Sequence, residues 1–186
     1  MGPPPSLDQG FPRLQLARTS DQPQLFGMPE PRRESRTDSA SREISAPPDR
    51  VYGAFADPTA LIKWLPPAGM NGRVLEYDFR EGGRFRIELT YRDAPPSAGG
   101  KTTARSDISS GRFLTLDPGR RIVQSVEFES ADPSFAGVVT MTWTFERTPG
   151  GTRVTITADN VPAAISKADH DAGLRSSLDN LAQHLR

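Results

Sequence analysis

Between about residue 72 and residue 158 the chain alternates apolar and polar positions, the two-residue period of strands with one dry face. Phe85, Ile87, Leu89 and Tyr91 alternate with Arg84, Arg86, Glu88 and Thr90. Val139, Met141, Trp143 and Phe145 alternate with Thr140, Thr142 and Thr144, the strongest strand pattern in the chain. The same period predicts strands at about 72–79 (Leu75, Tyr77, Phe79), 102–116, 121–129 (Ile122, Val126, Phe128) and 152–158. Glu81-Gly82-Gly83, Asp117-Pro118-Gly119 and Pro149-Gly150-Gly151 supply the tight turns, and 94–100 is a Pro/Gly-rich loop. Strands joined by short turns make an antiparallel meander. Gly111, inside the 102–116 segment, predicts a bulge or bend.

The period changes on either side of this run. Residues 37–46 predict a first strand, polar enough for a sheet edge. Pro47-Pro48-Asp49 then starts a helix, since proline is tolerated in the first turn and Asp favours the positive end of the dipole. Val51 and Phe55 give that helix one apolar side. Asp57-Pro58 breaks it and opens a second short helix, with Asp57 as N-cap and Leu61, Trp64 and Leu65 on one face. After Pro162, Leu174, Leu178, Leu181 and Leu185 recur at helical spacing, predicting a last helix over about 167–185 with one stripe toward the sheet. The order predicts an α+β domain: a curved antiparallel β-sheet wrapped around a long C-terminal helix, with two short helices after strand 1. A hollow between sheet and helix follows from that architecture.

Residues 1–36 differ. Pro3, Pro4, Pro5, Pro12, Pro23, Pro29 and Pro31 interrupt them and no apolar period survives. Such a segment buries too little surface to offset the entropy of ordering it, so a disordered tail is expected there, with the domain at 37–186.

Composition narrows the function classes. The formal net charge is zero, which leaves no electrostatic footprint for nucleic acid. Cysteine is absent, which excludes disulfides, thiolate catalysis and Cys-ligated metals. No apolar run approaches the roughly 18–20 residues that span a bilayer, so membrane insertion is not expected. The N-terminus lacks the basic-then-apolar order of a secretory signal, and a cytoplasmic location is expected. The only two histidines, His170 and His184, make no metal-binding pattern, and no cofactor is implied.

Several landmarks in order carry a resemblance. They are Ala46-Pro47-Pro48-Asp49-Arg50-Val51-Tyr52, Phe55-Ala56-Asp57-Pro58, Lys63-Trp64-Leu65-Pro66, Arg80-Glu81-Gly82-Gly83-Arg84-Phe85 and Leu116-Asp117-Pro118-Gly119. Trp143-Thr144-Phe145-Glu146, Gly150-Gly151-Thr152-Arg153, His170-Asp171-Ala172-Gly173 and Leu178-Asp179-Asn180-Leu181 continue the set. From residue 37 to the end the chain resembles the family of activator of heat-shock-protein-90 ATPase homologue-like domains, in the START-like or SRPBCC superfamily. The resemblance implies a helix-grip fold. It also implies a ligand cavity, because a long helix laid across a curved sheet leaves space. The family often has Gly-Trp in the last helix where this chain has Gly173-Leu174, a loss of indole that should reshape that end of the hollow. Its eukaryotic co-chaperones carry a separate chaperone-binding N-terminal domain. The short Pro-rich tail in its place here counts against a co-chaperone role.

The expected ligand-binding set is Trp64, Phe85, Ile87, Leu89, Tyr91, Val126, Phe128, Met141, Trp143, Phe145, His170, Leu174 and Leu178. Apolar pockets take shape from such side chains, with a few placed polar groups. His170, four residues before Leu174, borders the inward stripe and is a candidate to orient a ligand or act as general base. Tyr91 and Asp107 are the other acid/base candidates, although Asp107 has no evident partner nearby in sequence. Glu76 with Asp78, and Glu127 with Glu129, read as solvated pairs on a wet strand face. Ser109-Ser110-Gly111 lacks the nucleophile-elbow pattern, and Gly82-Gly83 lacks the phosphate-loop pattern.

Three functions are therefore in play. The first is a binding module for a small apolar or amphipathic molecule, acting as a monomer or weak homodimer. The second, implied by START-like relatives, is a cyclase- or hydrolase-like enzyme on an aromatic or polyketide-type substrate. The third is chaperone contact through the outer surface. A low density of buried polar groups favours the first; an acid/base pair converging inside the hollow would favour the second.

Overall fold

The computed structural model describes residues 36–93 and 100–186. The expectations of a disordered tail and of the 94–99 loop lie outside the described residues. The elements in order are β1 (Arg36–Ile44), α1 (Pro48–Ala56), α2 (Pro58–Trp64), β2 (Met70–Tyr77), β3 (Arg84–Tyr91), β4 (Ser106–Asp117) and β5 (Arg121–Phe128). A single 3₁₀ turn (Pro133–Phe135), β6 (Val139–Thr148), β7 (Gly151–Val161) and α3 (Lys167–His184) complete them.

One antiparallel sheet holds all seven strands in the order β1-β7-β6-β5-β4-β3-β2. Hairpin neighbours pair throughout, except that β1 lies beside the last strand, β7. The two short helices therefore carry the chain from one edge of the sheet to the other. Pro at N1 opens both helices, and the Asp57 side chain accepts from the Thr59 amide at 2.8 Å to cap the second. Register shifts in β1, β2 and β4 bend the sheet, as bulges do. The protein is thus an α+β helix-grip domain, with a curved sheet around its terminal helix.

Apart from β7, which runs on past Ala158 to Val161, the strand expectations differ from the structure in three places. In β2 a register shift between Val74 and Glu76 breaks the even alternation, and the strand stops at Tyr77 rather than running on to Phe79. Residues 102–105 turn ahead of β4, where the amides of Thr102 and Thr103 both donate to the Ser106 carbonyl. Gly111 is not a bulge: it pairs in register with Phe85 and Val126, and the irregularity falls between Phe113 and Thr115. Glycine at 111 answers a close approach, because a Cβ there would lie 1.8 Å from the Ser125 carbonyl oxygen and 2.8 Å from the Phe85 ring.

The packed core is aromatic. Trp64 is wholly buried and meets Phe55 and Trp143 edge-on at 4.8 and 5.8 Å between ring centres. Its indole N–H donates to the Ala54 carbonyl at 3.1 Å, so burial leaves no polar atom unpaired. Tyr77 donates to the Phe55 carbonyl at 2.6 Å. These bonds hold α1 and α2 against the sheet. The backbone of α3 packs chiefly on β1 and α2. It stands off the middle strands, and the space between them is the site.

Candidate functional site

Every second residue of β3 to β7 points toward α3. Register sets the rows: Leu89 lies opposite Asp107, Ile87 opposite Ser109, and Phe85 opposite Gly111. Ser109 in turn faces Phe128, Gly111 faces Val126, Gln124 faces Met141, and Trp143 faces Ile156. A fully packed core would carry Val or Leu at the inner positions of β4, where this chain has Asp107, Ser109 and Gly111. Across from them α3 presents Gly173, Ser176 and Ser177 beside His170 and Leu174. Small side chains on both walls leave a hollow of about 700 Å³, within the usual size range of small-molecule sites.

Three hydrogen bonds fix the roof of this hollow. Ser177 donates to the Leu65 carbonyl at 2.7 Å, and Asn180 Nδ2 donates to the Pro66 carbonyl at 2.8 Å. The Ala68 amide donates to Ser176 Oγ at 2.8 Å. Helix α3 is thereby pinned to the loop after α2, which lets it bridge the sheet without filling the space beneath.

Of the expected ligand-binding residues, Phe85, Ile87, Leu89, Tyr91, Val126, Phe128, Met141, Trp143, His170 and Leu174 line the hollow, and so does Asp107. Trp64, Phe145 and Leu178 do not. Trp64 and Phe145 both pack on Phe55 in the aromatic core, and Leu178 is buried one turn along the helix from Leu174. Helical and strand periods put these three on the inward side but could not show that other residues cover them. The sequence reading missed Lys101, Ser109, Gln124, Asp169, Gly173, Ser176 and Ser177, which also line the wall. The signal for Ser109 and Gln124 was present, since both fall in phase with apolar inner positions.

Charged and polar groups also line part of this mainly apolar wall. Asp107 is buried, and it has the partner its sequence neighbourhood did not suggest. Lys101 donates to both carboxylate oxygens, its amide to Oδ1 and its ammonium to Oδ2, each at 2.5 Å. The same ammonium lies 5.0 Å from the centre of the Phe128 ring. Burial raises the Tyr91 hydroxyl above its ordinary pKa, and the negative charges of Asp107 and Asp169 raise it further. Tyr91 therefore keeps its proton and has a hydroxyl hydrogen to donate.

His170 has a partner 132 positions away: its Nδ1 lies 2.8 Å from Asp38 Oδ2. Asp38, on β1, is 1% exposed. Arg36 Nε donates to Asp38 Oδ2 at 3.1 Å, and Lys167 Nζ lies 3.6 Å from Oδ1. Burial pushes the Asp38 pKa up, but the hydrogen bonds from His170 and Arg36 and their charge outweigh it and hold the carboxyl below its ordinary range.

The remaining candidates lie elsewhere. Glu76 and Asp78 form surface pairs with Arg84 and Arg80 at 3.6 and 2.8 Å. Glu129 is not simply solvated: Arg86 grips it through two bonds of 2.7 and 2.8 Å. His184 is exposed, beside a second and polar depression of about 740 Å³ between the loop after α2 and the end of α3.

A curved seven-stranded sheet, two crossover helices and a terminal helix over an open hollow define a helix-grip domain of the START-like class. Residues 45–186 match the family described as "Activator of Hsp90 ATPase homolog 1-like protein", and the chain belongs to that family. A crystal structure of a protein from Chromobacterium violaceum is 36% identical, covers 80% of this chain and 96% of its own, and superimposes with a TM-score of 0.70. The solution structure of an AHSA1-like protein from Aeromonas hydrophila shares the fold at 21% identity and a TM-score of 0.58, covering 80% of this chain and 91% of its own. A Mycobacterium smegmatis protein does so at 23% identity and a TM-score of 0.60, covering 80% and 87%. No curated protein is similar enough to count as a match. Among the described residues, no helix is long and apolar enough to cross a membrane.

Proposed function

We propose that this protein binds a small apolar or amphipathic molecule in the hollow between β3–β7 and α3. The observation that carries the reading is a space of about 700 Å³ bounded by Phe85, Ile87, Leu89, Met141 and Trp143, with small residues on both walls in place of core-filling ones. Apolar walls supply the driving force, at roughly 25 cal/mol per Å² of apolar surface removed from water. The few polar groups would fix orientation.

One observation favours an enzyme: His170, Tyr91 and Asp107 line the same hollow. Asp107, however, is tied to Lys101, and Tyr91 is held protonated. The Asp38 partner of His170 stands outside the wall. Binding is therefore the first reading and catalysis the second. Chaperone contact through the outer surface has less behind it. The two large apolar side chains that stand exposed among the described residues, Leu114 and Val138, belong to β4 and to the approach to β6, which β5 separates.

Native mass spectrometry of freshly purified protein, followed by a thermal-shift screen of lipids and aromatic metabolites, tests the proposal. A true ligand at a hundredfold over its Kd adds about 2.7 kcal/mol of stability, raising Tm by roughly 5–10 °C. A protein that retains no small molecule and shifts with none of these compounds would contradict the reading.

A further inference from the structure

Asp38 is remote from the ligand in the reading above, yet it is among the most deeply buried polar residues of the domain. A buried carboxylate needs strong partners, and its hydrogen bond to His170 dictates the state of that ring. Because Asp38 is an ionised acceptor, His170 Nδ1 must carry the proton. The other nitrogen, Nε2, has no protein partner among the described residues, and in the neutral ring it presents a lone pair. His170 lines the hollow, with its side chain only 17% exposed. Asp38 is thus placed to position that nitrogen toward the hollow.

Tyr91 supplies the complementary group. It lines the same hollow and keeps its proton as a donor. It lies near the start of α3, close enough to Asp169, the neighbour of His170, to feel its charge. Both line the hollow, so a ligand group that donates to His170 and accepts from Tyr91 would satisfy both. A hydroxyl does so, whereas a carboxylate does not. Two carboxylates, Asp107 and Asp169, line the wall, and the one ammonium there, that of Lys101, is already held by Asp107. An anionic head would face those carboxylates without a free ammonium among the described lining residues.

We propose that the hollow selects neutral hydroxyl-bearing molecules of the aromatic or alicyclic alcohol and phenol class. The hydroxyl donates to His170 Nε2 and accepts from Tyr91, while the ring rests on the apolar wall. The inference rests on the binding reading above and names its ligand class. No bond is made or broken.

Two measurements test it. Because the chain has only two histidines, ¹⁵N spectra of wild-type protein at pH 8 resolve the tautomer of each, with His184→Gln giving the assignment. The account requires a neutral ring with Nδ1–H at His170 without any ligand present; a proton on Nε2, in the other tautomer or in the imidazolium, would overturn the anchor and leave the hollow untouched. Calorimetric titration of wild type with 2-naphthol, naphthalene and 2-naphthoate provides the second test. The expected order is 2-naphthol at least tenfold tighter than either of the others, with 2-naphthol and naphthalene binding alike in His170→Phe. Equal affinity for 2-naphthol and naphthalene, or preference for 2-naphthoate, would overturn the selection while binding itself stands. Failure of all three to bind would count against both proposals.

Discussion

Two tryptophans with similar sequence credentials have different surroundings. Trp64 is enclosed by Phe55, Trp143 and its own hydrogen bond to Ala54, whereas Trp143 has one side on the core and another on the hollow. Replacing a packed aromatic removes its transfer free energy and opens a cavity, so Trp64→Ala should cost about 3–5 kcal/mol. Met141 sits on the hollow's wall and is only half-buried, so Met141→Ala should cost about 1 kcal/mol while altering ligand affinity. Urea denaturation of both variants separates core from wall; similar losses would contradict the assignment. Single residues were the least legible level of the sequence. Period two placed Phe85, Met141 and Trp143 on the inner face, but nothing in the pattern showed which inner residues meet empty space. Ser109, Gln124 and Gly173 decide that; phase put Ser109 and Gln124 on the inner face, but their polarity gave no sign of the space beside them.

At the level of elements, the join between β1 and α3 is electrostatic as well as apolar. Asp38 on β1 faces His170 and Lys167 on α3, with Arg36 alongside. Asp171 faces Lys167 at 2.8 Å, and an Arg42–Asp179 pair joins the same two elements further along. Because the folded pKa of Asp38 lies below its unfolded value, the stability it contributes is fully present above the ordinary carboxylate range. That stability is lost as pH falls through the folded pKa. Glu129, lowered chiefly by its hydrogen bonds with Arg86, acts in the same direction. Tm should therefore fall between pH 5 and pH 3, and Asp38→Asn should flatten part of that fall. Removing the group outright in Asp38→Ala should cost about 3 kcal/mol at pH 7, as for a broken buried pair. An unchanged acid limb in Asp38→Asn would contradict the account. The elements themselves were readable from the sequence: Pro47-Pro48, Asp57-Pro58 and the Leu174 to Leu185 stripe mark helix starts and faces by local chemistry. The Asp38–His170 contact was not, since it joins residues 132 apart and only the β1–β7 pairing brings β1 beneath α3.

The described domain is arranged around what it does not fill. The two short helices move the chain across the sheet, β1 returns to pair with β7, and α3 rests on β1 and α2 while spanning the middle strands. Sequence order alone implied that plan, because a meander followed by one amphipathic helix has few ways to close. The size and polarity of the resulting space were not implied, since they depend on small residues from two elements facing each other. Filling that space tests the central claim most directly. N-phenyl-1-naphthylamine, an uncharged probe that brightens in apolar surroundings, should bind wild-type protein saturably at one site. Ser109→Phe, which projects a ring into the hollow from β4, should keep Tm at or above the wild-type value and weaken the probe at least tenfold. Undiminished binding by a folded Ser109→Phe protein, or no saturable binding by wild type, would contradict the account.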